Sequence, residues 1–244
     1  MCFKSAMRSQ TRAESLIRYD SQRENVLHRN FSAFPKDDTR KENRIVGGSI
    51  VSPWFGKAAF VIGIIAMMII RGPHGRRSGK VSIVESRKGP LEITLLALMW
   101  IATLILPLIS IATPLLSFAE YPLYPAAFFV GIACLAVGLW LFYRSHADLG
   151  INWSISLELR ENHRLVTCGV YRRIRHPMYT AIFVQAIAQA LLLPNWLAGP
   201  ACLIAFLVMF SLRLRPEESM MMEKFGGDYV SYIGRTKRLI PSVW

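Results

Sequence analysis

An all-α, polytopic membrane protein with about five transmembrane helices is the fold class this sequence predicts, and three observations predict it. Apolar stretches at 58–70, 93–118 and 121–143, and an uncharged run from Met178 to Leu212, approach or exceed the roughly 20 residues that cross a bilayer. Hydrophobic residues make up 52% of the 244 and the mean hydropathy is +0.32, which is too apolar for an ordinary soluble domain. Charge is gathered into a few stretches between the apolar runs.

The chain divides into a basic tail over residues 1–55, three transmembrane helices over 56–144 and a C-terminal half over 145–244. The tail holds ten Lys or Arg against six acids, has no apolar core of signal-peptide type, and reads as disordered. The first helix has a short clean core, Ala58 to Ile70, with Lys57 snorkelling at its start. Gly72-Pro73-His74-Gly75 then reads as a turn in a basic loop. The second and third stretches are single spans. Pro194-Asn195 falls near the middle of the fourth and breaks it into two helices of about 16 residues, each near 24 Å at a rise of about 1.5 Å per residue. The expected result is a tight helical hairpin.

Lys and Arg crowd the links around Arg71–Glu92, Arg144–Arg175 and Arg213–Lys237, whereas the links around Glu120 and Asn195 have none. Five spans put the three basic links on one side, and the positive-inside tendency makes that side cytoplasmic. The basic tail then falls on the other side. Either it is translocated as a flexible segment, or the first run does not span, or the true start lies downstream.

The net charge of +13 fits flanks that lie against anionic lipid, and no recognition motif points to nucleic acid. Cys2, Cys134, Cys168 and Cys202 show no metal-ligand spacing, so neither a metal site nor a disulfide framework is expected. Motifs of the GxGxxG, P-loop, GxSxG and HExxH types are missing, which removes the usual sequence support for Rossmann, phosphoryl-transfer, hydrolase-elbow and zincin chemistry.

Titratable residues bracket the hairpin. Arg175-His176-Pro177-Met178-Tyr179 opens it, and Arg213-Leu214-Arg215-Pro216-Glu217-Glu218 follows its last apolar residue. Charged groups at a hydrocarbon boundary usually have partners or a task. Gly169 permits a turn, and Pro177 suits the first turn of a helix. Glu217 lies four residues after Arg213, on the same face of a helix provided that Pro216 does not break it. Glu218 is placed to cap the helix or to pair with Arg175. Tyr229 and Tyr232 read as packing residues that seat a C-terminal amphipathic segment.

Taken together, His163-x-Leu165-Val166-x-x-Gly169-Val170-Tyr171, Arg175-His176-Pro177-x-Tyr179, the hairpin, Arg213-x-x-x-Glu217-Glu218 and Phe225-Gly226-x-x-Tyr229-x-x-Tyr232 resemble the isoprenylcysteine carboxyl methyltransferase family over residues 145–244. The phospholipid methyltransferases share the hairpin and the paired glutamates. The resemblance implies an integral membrane enzyme that uses S-adenosylmethionine without a Rossmann domain and methylates the carboxylate of a lipophilic or prenylated substrate. It implies that His163, Leu165, Val166, Tyr171, His176, Pro177, Tyr179 and Glu217 line the cofactor pocket. Arg213 and Glu218 take the catalytic positions, with Arg213 facing the acceptor carboxylate. The cofactor site would face the cytoplasm, from the inner membrane of a bacterium or the endoplasmic reticulum of a eukaryote. A glutamine that some members place before the His-x-Leu-Val element has no counterpart among Ser154 to Glu158.

The residue types suit that chemistry. Methyl transfer is an in-line displacement, so the protein must chiefly align the reactants and control charge. A carboxylate acceptor is ionised at neutral pH and needs a cation to hold it, not a base. Two other readings use the same residues differently. A phospholipid amine N-methyltransferase would favour a carboxylate over Arg213, and a non-catalytic membrane scaffold or lipid-binding reductase-like protein would not need His176, Tyr179 and Glu217 together.

Overall fold

A computed structural model describes residues 50–79, 82–86, 89–154, 156, 158–160 and 164–240. Most of the basic tail, and His163, therefore lie outside the described residues. Among the described residues, five helical segments run between two ends of a bundle. The first, α1 (Pro53–Ser78), begins with proline at its first turn and continues through Pro73. Gly72-Pro73-His74-Gly75 is thus helical and not the expected turn, and the first pass reaches 26 residues. His74 Nδ1 lies 2.9 Å from the Ile70 carbonyl, and Pro73 and its neighbours stay within the helix.

The second pass is α2 (Pro90–Trp100), a π-helical turn over Ile101–Ile105, and α3 (Leu106–Ala112). The wide turn lies just before Pro107, whose ring would meet the Thr103 carbonyl in an unbroken α-helix. The third pass is α4 (Pro125–Leu149), which stops where Gly150 adopts a positive φ of 59°. These three passes are long and apolar enough to cross a membrane, and residues such as Ile62, Ile69, Phe129 and Val130 present the exposed apolar surface that lipid covers.

The predicted hairpin is present as α5 (Pro177–Leu192) and α6 (Ala201–Phe225). Its turn is built by Asn195, whose Oδ1 accepts from the Leu197 and Ala198 amides at 3.0 and 2.9 Å. α5 has 16 residues and is a shorter apolar helix than the first three. α6 runs unbroken through Pro216, so Arg213 and Glu217 do share a face. A short amphipathic helix, α7 (Gly227–Arg235), follows and buries Tyr229 and Tyr232.

The all-α architecture carries one short pair of strands beside its helices. β1 (Ile83–Ser86) and β2 (Glu158–Arg160) pair antiparallel, with Ile83 opposite Arg160 and Ser86 opposite Glu158. Two polar connectors meet at the same end of the bundle, and pairing their backbones satisfies groups that the helices leave unbonded.

Hydrogen bonds sort the links by end. Ile174 bridges Lys237, and the Arg175 and His176 amides donate to the Lys237 and Arg238 carbonyls at 2.8 and 3.1 Å. With the β1–β2 pair, these gather the three basic links at one end. At the other, Glu120 bridges Asn195, Val51 bridges Leu123, and the Trp196 amide donates to the Ala119 carbonyl at 2.9 Å. Between the ends, α4 and α5 approach closely at Gly138, where a Cβ would press on the Gln185 side chain. Leu95, Tyr179, Phe206, Met209, Phe210, Leu214 and Leu239 form the main core where α2, α5 and α6 meet.

Candidate active site

The bridge between Ile174 and Lys237 holds His176 at the mouth of α5, just before Pro177 starts the helix. Its ring is buried between two glutamates one residue apart on α6. Nδ1 lies 3.6 Å from Glu217 Oε1, and Nε2 lies 3.4 Å from Glu218 Oε1. The two carboxylates have different company. Glu217 accepts a 2.6 Å hydrogen bond from the Tyr179 hydroxyl and lies 3.8 Å from Arg213 Nε. Glu218 accepts from Arg175 Nε at 2.8 Å and Arg238 Nη2 at 3.1 Å.

Arg213 continues the network inward, its Nη1 lying 3.3 Å from Glu92 Oε1 of α2. Both residues are buried, at 9% and 5% exposure. Charges removed from water in this way need close partners, and here each supplies one for the other.

Past the apolar stretch that ends at Leu212, the titrating groups are strongly biased. Burial alone would raise both glutamates. For Glu217, hydrogen bonds and charge from His176, Arg213 and Tyr179 outweigh burial and hold the carboxyl below its ordinary value. Burial is likewise outweighed at Glu218 by His176, Arg238 and Arg175, which hold the carboxyl far lower. Burial pushes His176 down, but its two carboxylate neighbours raise it on balance.

A second wall comes from the connector. Gly169 has a φ of 60°, and a Cβ there would collide with the Asp148 carboxylate. That carboxylate instead accepts from the Val170 amide at 2.9 Å and is held by Arg144 at 3.1 Å. The turn places Tyr171 inward, with the Tyr232 hydroxyl donating to its carbonyl at 2.6 Å.

These walls enclose one cavity of about 330 Å³. Leu165, Val166, Tyr171, His176, Tyr179, Glu217 and Arg213 line it. Pro177 is buried and sets the start of α5. Glu218 stands behind the wall and is engaged by Arg175 and Arg238. The cavity continues between the helices, past Leu135, Gln185 and Leu192 to Phe60. Sequence reasoning missed Glu92, although a carboxylate beside an apolar run is a recognised signal. Arg238 was missed because nothing local marks it as the partner of Glu218.

Comparison with known proteins finds similarity over the segments that build this cavity. The model of the isoprenylcysteine carboxyl methyltransferase (ICMT) family matches residues 129–223, a span holding the connector, the hairpin and the His176–Glu217–Glu218 cluster. A probable protein-S-isoprenylcysteine O-methyltransferase from Oryza sativa subsp. indica is 24% identical over 193 residues, covering 78% of this chain and 96% of that protein. The chain is thus similar to this family over residues 129–223. A protein-S-isoprenylcysteine O-methyltransferase from Tribolium castaneum is 35% identical over 97 residues, covering 40% of this chain and 34% of that one. The solved structure of the eukaryotic intramembrane Ras methyltransferase ICMT is 26% identical, covers 66% of this chain and 55% of that chain, and has a TM-score of 0.44. The family match thus falls on the residues that build the cavity's polar end.

Proposed function

We propose that this chain is an S-adenosylmethionine-dependent membrane methyltransferase that esterifies the carboxylate of an isoprenylcysteine-like lipophilic acceptor. The observation that carries the reading is the coincidence of the family match with a single cavity, polar at the His176–Glu217 end and apolar between the helices. When bound, S-adenosylmethionine supplies an electrophilic methyl group. The residues fit it. Glu217 and Glu92 bring two carboxylates to one arginine, an environment suited to a molecule with a sulfonium and an ammonium. Tyr171 and Tyr179 offer aromatic faces to cations or to a base, and Leu165 and Val166 add apolar wall beside them.

Arg213 would orient the acceptor carboxylate, which is already ionised and needs no general base. Glu218, by engaging Arg175 and Arg238, would hold His176 and the mouth of α5 in register. The apolar reach of the cavity suits a lipid chain. The basic end is assigned to the cytoplasm on its Lys and Arg content.

Glu92 gives the amine-acceptor reading its one specific foothold, because its pairing with Arg213 offsets the charge that would oppose a cationic product. A methyl-transfer assay in membranes, with labelled cofactor and either N-acetyl-S-farnesyl-L-cysteine or a phospholipid panel, separates the two. Ester formation on the first supports the proposal, whereas transfer only to phospholipid amines overturns the acceptor assignment.

A further inference from the structure

Of the described residues, four arginines line the cavity, Arg71, Arg164, Arg175 and Arg213, and Arg71 is held differently from Arg213. Arg71, on α1, has its guanidinium carbon 5.2 Å from the centre of the Trp153 ring. Among the described residues no carboxylate forms an ion pair with it. Trp153 is buried and packs its other neighbour, His146, at a centroid distance of 4.9 Å. His146 is wholly buried. Its Nδ1 lies 2.8 Å from the Phe142 carbonyl, a contact that puts the hydrogen on that nitrogen and leaves Nε2 as an acceptor. Among the described residues, Nε2 has no hydrogen-bond partner. Arg71, His146 and Trp153 line the same cavity as Tyr171 and Glu217.

The contrast with Arg213 gives this niche its meaning. Arg213 has Glu92 and Glu217 beside it, so much of its charge is offset by the protein. Arg71 has an aromatic face and an orphaned acceptor instead. On the functional reading above, the cavity receives two carboxylates, one on the acceptor and one on the methionine part of the cofactor. Each is costly to bury without its own cation. Both belong to amino-acid groups, in which an N–H donor sits one carbon away from the carboxylate.

We infer that Arg71, His146 and Trp153 form a second carboxylate subsite of the cavity, one that takes an amino-acid carboxylate on the Arg71 fork and the adjoining N–H on His146 Nε2. The inference rests on the proposed methyl transfer for the identity of its ligands. Planar bidentate pairing suits arginine better than lysine, and the Trp153 ring keeps the fork in place without neutralising it.

The test uses the full chain in detergent and two ligand pairs that differ at the carboxylate. S-adenosylhomocysteine is compared with methylthioadenosine, which lacks the amino-acid part, and N-acetyl-S-farnesyl-L-cysteine is compared with its carboxamide. Arg71→Gln should weaken the carboxylate-bearing member of one pair about ten- to a hundredfold while leaving its partner as in the parent. A change confined to the nucleoside pair assigns the niche to the cofactor, and one confined to the cysteine pair assigns it to the acceptor. Arg71→Lys should retain part of the preference, and His146→Phe, which keeps the ring packing, should lose part of it. Folded Arg71→Gln protein that binds all four like the parent, or that loses both members of a pair equally, overturns the subsite. A parent that shows the Arg71-dependent preference but transfers no methyl group overturns the function and leaves the subsite standing.

Discussion

Arg213 on α6 and Glu92 on α2 meet at 3.3 Å, both nearly removed from solvent. The pair ties the helix that carries Glu217 to a helix outside the C-terminal half. Removing one member strands the other charge, which costs about 3–5 kcal/mol in buried pairs. Glu92→Leu alone should therefore lower stability by about that amount, and the Glu92→Leu/Arg213→Met double variant should recover part of it, as thermal unfolding in a double-mutant cycle would show. Additive losses would mean that the two do not interact. In the gentler Arg213→Lys variant, turnover of a carboxylate acceptor should fall while cofactor affinity stays near that of the parent.

Glu217→Gln and His176→Ala should each weaken binding of S-adenosylhomocysteine. A hydrogen bond to a charged group is worth about 1.5–3 kcal/mol, or roughly ten- to a hundredfold in affinity. Titration calorimetry on folded protein gives the measurement. Parent-like affinity in both would assign the two residues to structure rather than to the cofactor.

Stability should depend on pH from both sides of the same cluster. The two glutamates titrate below their ordinary value of 4.5 when folded, so their contribution is present above pH 4.5 and is lost as pH falls through the folded values. His176 titrates above its ordinary 6.5, so its contribution is complete below pH 6.5 and fades as pH rises through the folded value. Melting temperature against pH should show both limbs, and His176→Gln should flatten the alkaline one. An unchanged alkaline limb would show that another group supplies it.

The gathering of the basic links at one end predicts their sidedness. Reporters fused after Trp244 and inserted in the link between Ser78 and Pro90 should lie on the same face of the membrane, the cytoplasmic one. Reporters on opposite faces would contradict the arrangement in which the Lys237 bridge and the β1–β2 pair share an end.

Much of this was legible because the signals are local. Pro177 opens α5, Pro194-Asn195 breaks the hairpin, and Gly169 takes the positive φ that its turn requires. Spacing along α6 likewise brings Glu217 within reach of Arg213. Contacts between distant segments were not legible. Nothing in the sequence near Glu92 says that it meets Arg213, and nothing near Arg238 says that it engages Glu218. Pro73 misled, because a proline that ends a helix in water can be carried within one at a membrane, where unbonded backbone is dearer. The niche at Arg71 was hidden for the same reason, having been read as part of a loop.

The seam formed by Asn195 with Leu116, Trp196 with Ala119, and Tyr121 with Pro194 bears on biogenesis. Synthesis proceeds from the N-terminus, so the stretch from Leu116 to Tyr121 is made before the hairpin turn that docks on it. At 16 residues, α5 is about 24 Å long against a hydrocarbon core of about 30 Å, a poor insertion unit by itself. The earlier stretch supplies a waiting set of backbone partners for the tip of that hairpin. Chain order thus favours seating the last two passes together, against a template already in place.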